Sequence, residues 1–92
     1  MAYPSFLIAG VILFEAGRPM HYKDLTQKVV DTGLTKLGRI GAKTPENTLN
    51  RVLNQDHPDF FINNQDGTFS YCETIRKDKR FNLALKEYKN IP

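Results

Sequence analysis

Ninety-two residues contain one cysteine, two histidines and no tryptophan. A single thiol, Cys72, excludes an intramolecular disulfide, and with only His21 and His57 beside it no four-ligand set for a structural zinc exists. No metal or cofactor is expected, and the fold has to hold by packing. Long apolar runs are also missing. Phe6 to Phe14 is apolar apart from Gly10, yet it is nine residues long, about half of the ~20 that a membrane-spanning helix needs. No Lys or Arg precedes it, as a signal peptide would require. The run therefore reads as a buried helix, a membrane partner is not expected, and an intracellular setting is the default. There is no internal repeat and no low-complexity tract.

What is present is ordinary for a globular chain: 40% hydrophobic and 25% charged residues, enough to escape disorder. A chain of this length buries about 60–65% of the surface its unfolded form exposes, so one modest core is the limit and a large enzyme cleft is excluded. The net charge of +3 is unevenly placed. Residues 18–54 carry seven basic and three acidic side chains, residues 55–72 three acidic and no basic, and residues 73–92 six basic and three acidic. A positive middle and a positive tail are separated by an acidic stretch, and the positive middle is where a polyanion would be met.

The first helix is predicted from Pro4 or Ser5 to Ala16, with Gly17 just past its end. At 100° per residue Phe6, Ala9, Ile12, Leu13 and Ala16 form one apolar face and Leu7, Val11 and Phe14 a second. Two apolar faces need two partners. Arg18 to Tyr22 reads as a short extended link and Tyr22 to Thr32 as a second helix, with Leu25, Val29 and Val30 inward and Gly33 as its stop. Leu34 to Lys43 reads as a basic loop, longer than a usual helix-turn-helix corner.

The third helix, Thr44 to Asp56, carries the clearest start signal. Thr44 can cap, Pro45 suits the first helical position, and Glu46 puts a carboxylate in the first turn against the positive end of the dipole. With Leu49, Val52 and Leu53 inward, Asn47, Asn50, Arg51 and Asn54 fall within roughly 100° on the opposite face. Amides can pair with adenine and Arg51 with guanine, and Thr44 with the helix-start N–H groups can hold a phosphate. A solvent-exposed helix face is also polar for no other reason than exposure. Phe60 to Asn63 and Thr68 to Tyr71 read as two strands joined by Asn64-Gln65-Asp66-Gly67, a hairpin turn. From about Thr74 to Asn90 the pattern is helical again, with Phe81, Leu85 and Tyr88 as its apolar stripe.

Helix, short strand, helix, helix and hairpin is the order of a winged helix-turn-helix: α+β, mainly α, with a three-helix core, a hairpin wing and here an additional C-terminal helix. Residues 1–72 are expected to form the winged-helix domain, and residues 73–92 a basic amphipathic helix. That helix either packs on helix one or pairs between chains. Leu7, Val11, Phe14, Phe81, Leu85 and Tyr88 are then the candidate surface for a homodimer or a partner protein.

The residues Ala16 to Leu25 with their "AGRP", Gly33-Leu34, the "KTPENTL" of Lys43 to Leu49, Phe60 and Gly67-Thr68-Phe69 resemble the HARE-HTH winged-helix family over about residues 5–72. That family occurs as a module of restriction endonucleases, chromatin regulators and the delta subunit of bacterial RNA polymerase. The resemblance implies double-stranded DNA binding, proposed to sense modification, or docking to a DNA-handling machine, and it implies no catalysis of its own. The segment expected to meet DNA comprises Arg39, Lys43, Thr44, Asn47, Thr48, Asn50, Arg51 and Asn54, with Asn64, Gln65 and Thr68 on the wing. The wing departs from a phosphate-gripping one: it has Asp66, no Lys or Arg, and Asp56 and Asp59 just upstream.

Other patterns are weaker. Gly38 to Thr44 lacks the glycine and preceding strand of a P-loop. Gly38-Arg39-Ile40-Gly41 fits the GXXG of a KH domain, a competing single-stranded nucleic-acid reader, although a Thr-Pro cap intervenes before the next helix. Pro58-Asp59 with Glu87-Tyr88-Lys89 spells a nuclease motif without its sheet, and His21 and His57 have no nucleophile at a suggestive spacing.

Overall fold

A helix without a polar face has to be wrapped on every side, and helix α1 (Ser5–Ala16) is. In this computed structural model, which describes residues 2–37 and 45–91, every residue from Phe6 to Leu13 is buried, Gly10 included. Around it lie strand β1 (Met20–His21), helix α2 (Tyr22–Thr32), helix α3 (Pro45–Arg51), strands β2 (Phe61–Asn63) and β3 (Thr68–Tyr71), and helix α4 (Phe81–Lys89). Short 3-10 turns cover Pro58–Phe60 and Glu73–Lys77. The expected α+β, mainly helical winged helix-turn-helix is the fold observed.

The extended link after α1 is a true strand. It adds β1 to the hairpin, giving a three-stranded antiparallel sheet in the order β1-β3-β2. Met20 pairs with Phe69 and His21 with Thr68, while Phe61 pairs with Tyr71. Met20, Phe61 and Phe69 are buried, so the sheet closes one side of the core.

Several expectations need correction. Ala16 is exposed, because α1 leaves the core in its last turn. On α2 the third buried residue is Thr26 and not Val30, its hydroxyl satisfied by donating to the Tyr22 carbonyl at 2.6 Å. Phe60 belongs to a 3-10 turn and not to a strand, where it stacks on Phe6 at 5.6 Å. The third helix does reach Asp56, but from Val52 onward it widens into a π turn, the His57 N–H bonding the Val52 carbonyl at 3.0 Å. Pro58 disfavours helical backbone at the residue before it and brings no N–H of its own, so the helix ends here. His57 leaves at φ −136° and stacks on Phe6 with centroids 3.8 Å apart.

The C-terminal segment is not one helix. Ile75 is fully buried against Gly10, and Asp78 then breaks the chain: its carboxylate accepts from the Arg80 N–H at 2.9 Å and pairs with the Arg80 guanidinium at 2.7 Å. An aspartate that bonds nearby backbone competes with helical bonding, and α4 starts only at Phe81. Phe81 and Ala84 are buried on the inner side of α4, and Phe81 meets the Phe14 ring edge-on at 5.9 Å. The stripe residue Phe81 thus contacts Phe14 of α1 within one chain. The residues expected to form a homodimer or partner surface are covered within the chain to different degrees. Leu7 and Val11 are 0% and Phe81 1% exposed, and Phe14, Leu85 and Tyr88 are half-buried against the same core.

Candidate nucleic-acid interface

Helix α3 and the π turn that continues it are placed by two apolar side chains, Leu49 and Leu53, which are buried. That anchoring turns the opposite side outward. Asn47 and Arg51 are exposed, and Thr48, Asn50 and Asn54 are half-buried. Glu46 lies in the first turn, in the sense that the helix dipole favours. Arg39, Lys43 and Thr44, together with Gly38 and Gly41 of the GXXG pattern, lie outside the described residues.

The wing is a turn held by its own polar side chains. Asn64 donates its N–H to the Thr68 carbonyl at 3.1 Å, and its amide donates to the hydroxyls of Thr68 and Ser70 at 3.0 and 2.9 Å. Asp66 accepts from the Thr68 N–H at 3.0 Å and from its hydroxyl at 2.6 Å. These bonds to Thr68 hold the Asp66 carboxyl below the usual carboxylate range, with a smaller contribution from His21. The wing tip is thus negative as well as short of cations, and Asn64 and Thr68 are occupied in building the turn.

Between α3 and the wing lies a cleft of about 230 Å³, lined by Tyr22, Asn50, Asn54, Asn63, Gln65 and Phe69 with the Gly67 backbone. Three amides cross it in series. Asn63 donates to Asn54 Oδ1 at 2.7 Å, and Asn54 donates to Asn50 Oδ1 at 2.9 Å. Asn63 Oδ1 in turn accepts the backbone N–H of Gln65 at 2.9 Å. Helix α3 and the wing are therefore joined by a hydrogen-bonded relay. Asn54, expected as a base reader, has both ends of its amide in use within the protein.

Sequence reasoning missed Asn63 and Tyr22, which belong to the cleft only because the hairpin folds back beside α3. An amide at the end of the β2 run Phe61-Ile62-Asn63 was the available signal. It also missed Arg76, which the sequence shows only as one of six basic residues in the tail. Its guanidinium lies 4.5 Å over the Phe14 ring and its Nε donates to the Tyr71 hydroxyl at 2.7 Å. His21 caps α2 by accepting the Lys23 N–H at Nδ1, 3.2 Å away. His57 is a stacking partner of Phe6 and Phe60. Asp59 and Glu87 stand on separate elements. Among the described residues no three His, Cys, Asp or Glu side chains gather as metal ligands. No described helix is long and apolar enough to cross a membrane.

Three helices, a two-residue strand completing the sheet, and a hairpin beside the third helix define a winged helix-turn-helix protein. A family model matches residues 8–72, and the chain belongs to that family, HARE-HTH, the helix-turn-helix domain named for ASXL and restriction endonucleases. This is a DNA-binding helix-turn-helix family. No curated protein and no solved structure matches the chain significantly.

Proposed function

We propose that the chain is a non-catalytic module for double-stranded DNA, sensitive to sequence or modification, that lays α3 in the major groove within an intracellular transcription, chromatin or restriction system. The observation that carries this reading is the division of α3: Leu49 and Leu53 lock one side into the core while Asn47 and Arg51 project from the other, beside the amide-lined cleft. Arginine and asparagine are the residues whose forked donors and acceptors match purine edges in that groove. With the wing tip acidic, the positive charge for phosphate contact comes from the segment 18–54, Arg51 included, not from the hairpin. Within this reading Asn47, Asn50 and Arg51 face the groove with Thr48 beside them, and Arg39, Lys43 and Thr44 are further candidates for DNA contact.

Fluorescence anisotropy on duplex, modified duplex and single-stranded DNA at two salt concentrations tests it. The expected result is duplex binding that weakens steeply with salt. Arg51→Ala should cost about 1–3 kcal/mol if it reads a base, or lower the salt slope by about one if it meets a phosphate. Undiminished binding in both Arg51→Ala and Asn47→Ala refutes the assignment of α3.

A second reading, docking to a protein of a DNA-handling complex, is favoured by one observation. A cleft of about 260 Å³ lined by Leu13, Phe14, Arg18, Pro19, Ser70 and Tyr71 shares no residue with the helix–wing cleft. Exposed Arg18 is the position to change: Arg18→Glu abolishes docking there and leaves any binding through Asn47 intact.

A further inference from the structure

The relay between α3 and the wing has a direction, and that direction is imposed by the backbone. An asparagine amide can be turned end for end, so each isolated contact is ambiguous as to which atom donates. The N–H of Gln65 cannot be turned. It donates to Asn63 at 2.9 Å, so the atom facing it is Oδ1 and the other end of that amide is the donor. Asn63 therefore donates to Asn54 at 2.7 Å, which commits Asn54 to donate to Asn50 at 2.9 Å. Reversing any one amide would set two oxygens or two NH2 groups against each other. Asn50 is thus fixed with Oδ1 turned into the relay and its NH2 as the terminal group of the cleft.

We propose that Asn50 is a specificity-determining residue that offers this NH2 to a base edge, so that the domain selects keto bases, guanine or thymine, over amino bases, adenine or cytosine, at one strand position. Asn54 and Asn63 are positioning residues that set which end of Asn50 is presented. The inference rests on the reading of α3 as the DNA-facing helix and deepens it. In the major groove guanine presents two acceptors, O6 and N7, and thymine presents O4, whereas adenine sets its N7 acceptor beside the N6 donor and cytosine N4 donates, so a donor alone is unopposed only by the keto bases. A free amide prefers adenine because it offers an acceptor and a donor together; Asn50 has its acceptor engaged by Asn54. The wing, which brings no cation to the phosphates, acquires a different use: its backbone sets the polarity of a reading group on another element.

The polarity is reversible by one atom. In Asn63→Asp the carboxylate accepts the Gln65 N–H with one oxygen and faces Asn54 with the other. Asn54 then turns its NH2 to residue 63 and its oxygen to Asn50, and Asn50 turns in its own NH2 and presents Oδ1. Asn54→Asp has the same consequence by a different route, since its carboxylate accepts from Asn63 and Asn50 together.

The test is selection from randomised duplexes with the native chain, Asn50→Ala, Asn63→Asp and Asn54→Asp, each checked for folding by circular dichroism. The position read by Asn50 is the one whose preference flattens in Asn50→Ala, with a loss of about two- to tenfold on the preferred base, the worth of one hydrogen bond. There the native chain selects guanine or thymine, and both Asp variants select adenine or cytosine. Their added negative charge weakens binding to all sequences alike and leaves the ratio to report polarity. In the free protein the Asn50 NH2 proton resonance moves downfield in Asn63→Asp as that group takes up a bond. A native preference for amino bases, or Asp variants that keep the keto preference, overturns the relay while leaving duplex binding in place. Absence of salt-dependent binding to any duplex sinks the DNA reading itself and this inference with it.

Discussion

The imidazole of His21 fills the space that a side chain on residue 67 would need. A Cβ on Gly67 would lie 2.7 Å from Nε2 of His21, and the backbone there has φ +88°, a conformation that residues with a Cβ rarely adopt. The same imidazole caps α2, and the Gly67 carbonyl accepts the Tyr22 N–H at 2.9 Å. Turn, strand β1 and the start of α2 are thus fitted together at one glycine. Gly67→Ala is expected to cost about 1–2 kcal/mol for the left-handed backbone alone, with more from displacing the cap. Urea unfolding should show a lower midpoint at unchanged slope. An unchanged midpoint would mean that His21 swings clear without loss.

Gly10 is a close approach of a different kind. It lies mid-helix, where glycine is disfavoured, and the Ile75 Cδ1 methyl occupies the place of its missing side chain. Gly10→Ala should therefore destabilise by about 1–3 kcal/mol through overpacking, against the helix propensity that favours alanine. Ile75→Val removes that methyl group. The double variant Gly10→Ala/Ile75→Val should be more stable than the sum of the single losses, with a coupling of about 0.5–3 kcal/mol in a double-mutant cycle. Additive losses would place the two residues out of contact.

Arg76 holds together Phe14 of α1, Tyr71 of β3 and, at 5.6 Å, Phe81 of α4. An exposed cation over an aromatic face is worth about 0.5–1 kcal/mol, so Arg76→Ala should lower stability by about that much plus the lost Tyr71 bond. Arg76→Lys should recover only part of it, because an ammonium lacks the planar group that stacks and donates at once. Thermal melts of the three proteins decide this; equal stability in all three would return Arg76 to the solvent.

Phe81→Ala is expected to cost about 3–5 kcal/mol, a core value, with the native chain sedimenting as a monomer. A stable Phe81→Ala variant accompanied by loss of a native dimer would instead make Phe81 an interchain contact.

Asp66 and Asp78 both titrate below the ordinary carboxylate range, Asp66 because Thr68 donates to it and Asp78 because Arg80 does. Their folded pKa values lie under the unfolded ones. The stability they contribute is therefore fully present above the unfolded carboxylate pKa and is lost as pH falls through the folded values. Acid titration of the melting temperature should show a decline below the ordinary carboxylate range that is shallower in Asp66→Asn and Asp78→Asn. Parallel declines in all three proteins would remove both groups from acid sensitivity.

Much of this was legible in the chain. Pro45, Glu46 and the Leu49/Leu53 spacing mark α3 and its inward side, and Gly17 and Gly33 mark where α1 and α2 stop, because these are local effects of caps, dipoles and backbone freedom. The order of helices and hairpin, with "AGRP" and "KTPENTL", is sufficient for the family. The charge surplus of segment 18–54 and the acidic hairpin are arithmetic on the sequence.

Other features depend on contacts between residues distant in the chain, and no local pattern encodes those. A nine-residue apolar run shows that α1 needs cover on more than one side, but not that α4 supplies it. From its spacing alone Phe81 reads equally as a dimer seam or a core residue, and its place 5.9 Å from Phe14 comes only from the fold. The break at Asp78 becomes necessary only once Ile75 is seated against Gly10. The four polar residues of the third-helix stripe look equivalent on a helical wheel, yet the returning wing engages Asn54, and through it Asn50, and leaves Asn47 and Arg51 exposed. The sequence by itself determined the elements, the charge pattern and the family, since those follow from neighbours three or four residues apart. Which apolar faces are spent inside the chain, and which end of Asn50 is left for a ligand, was decided by tertiary structure, because burial and hydrogen-bond polarity are set by partners that only folding brings together.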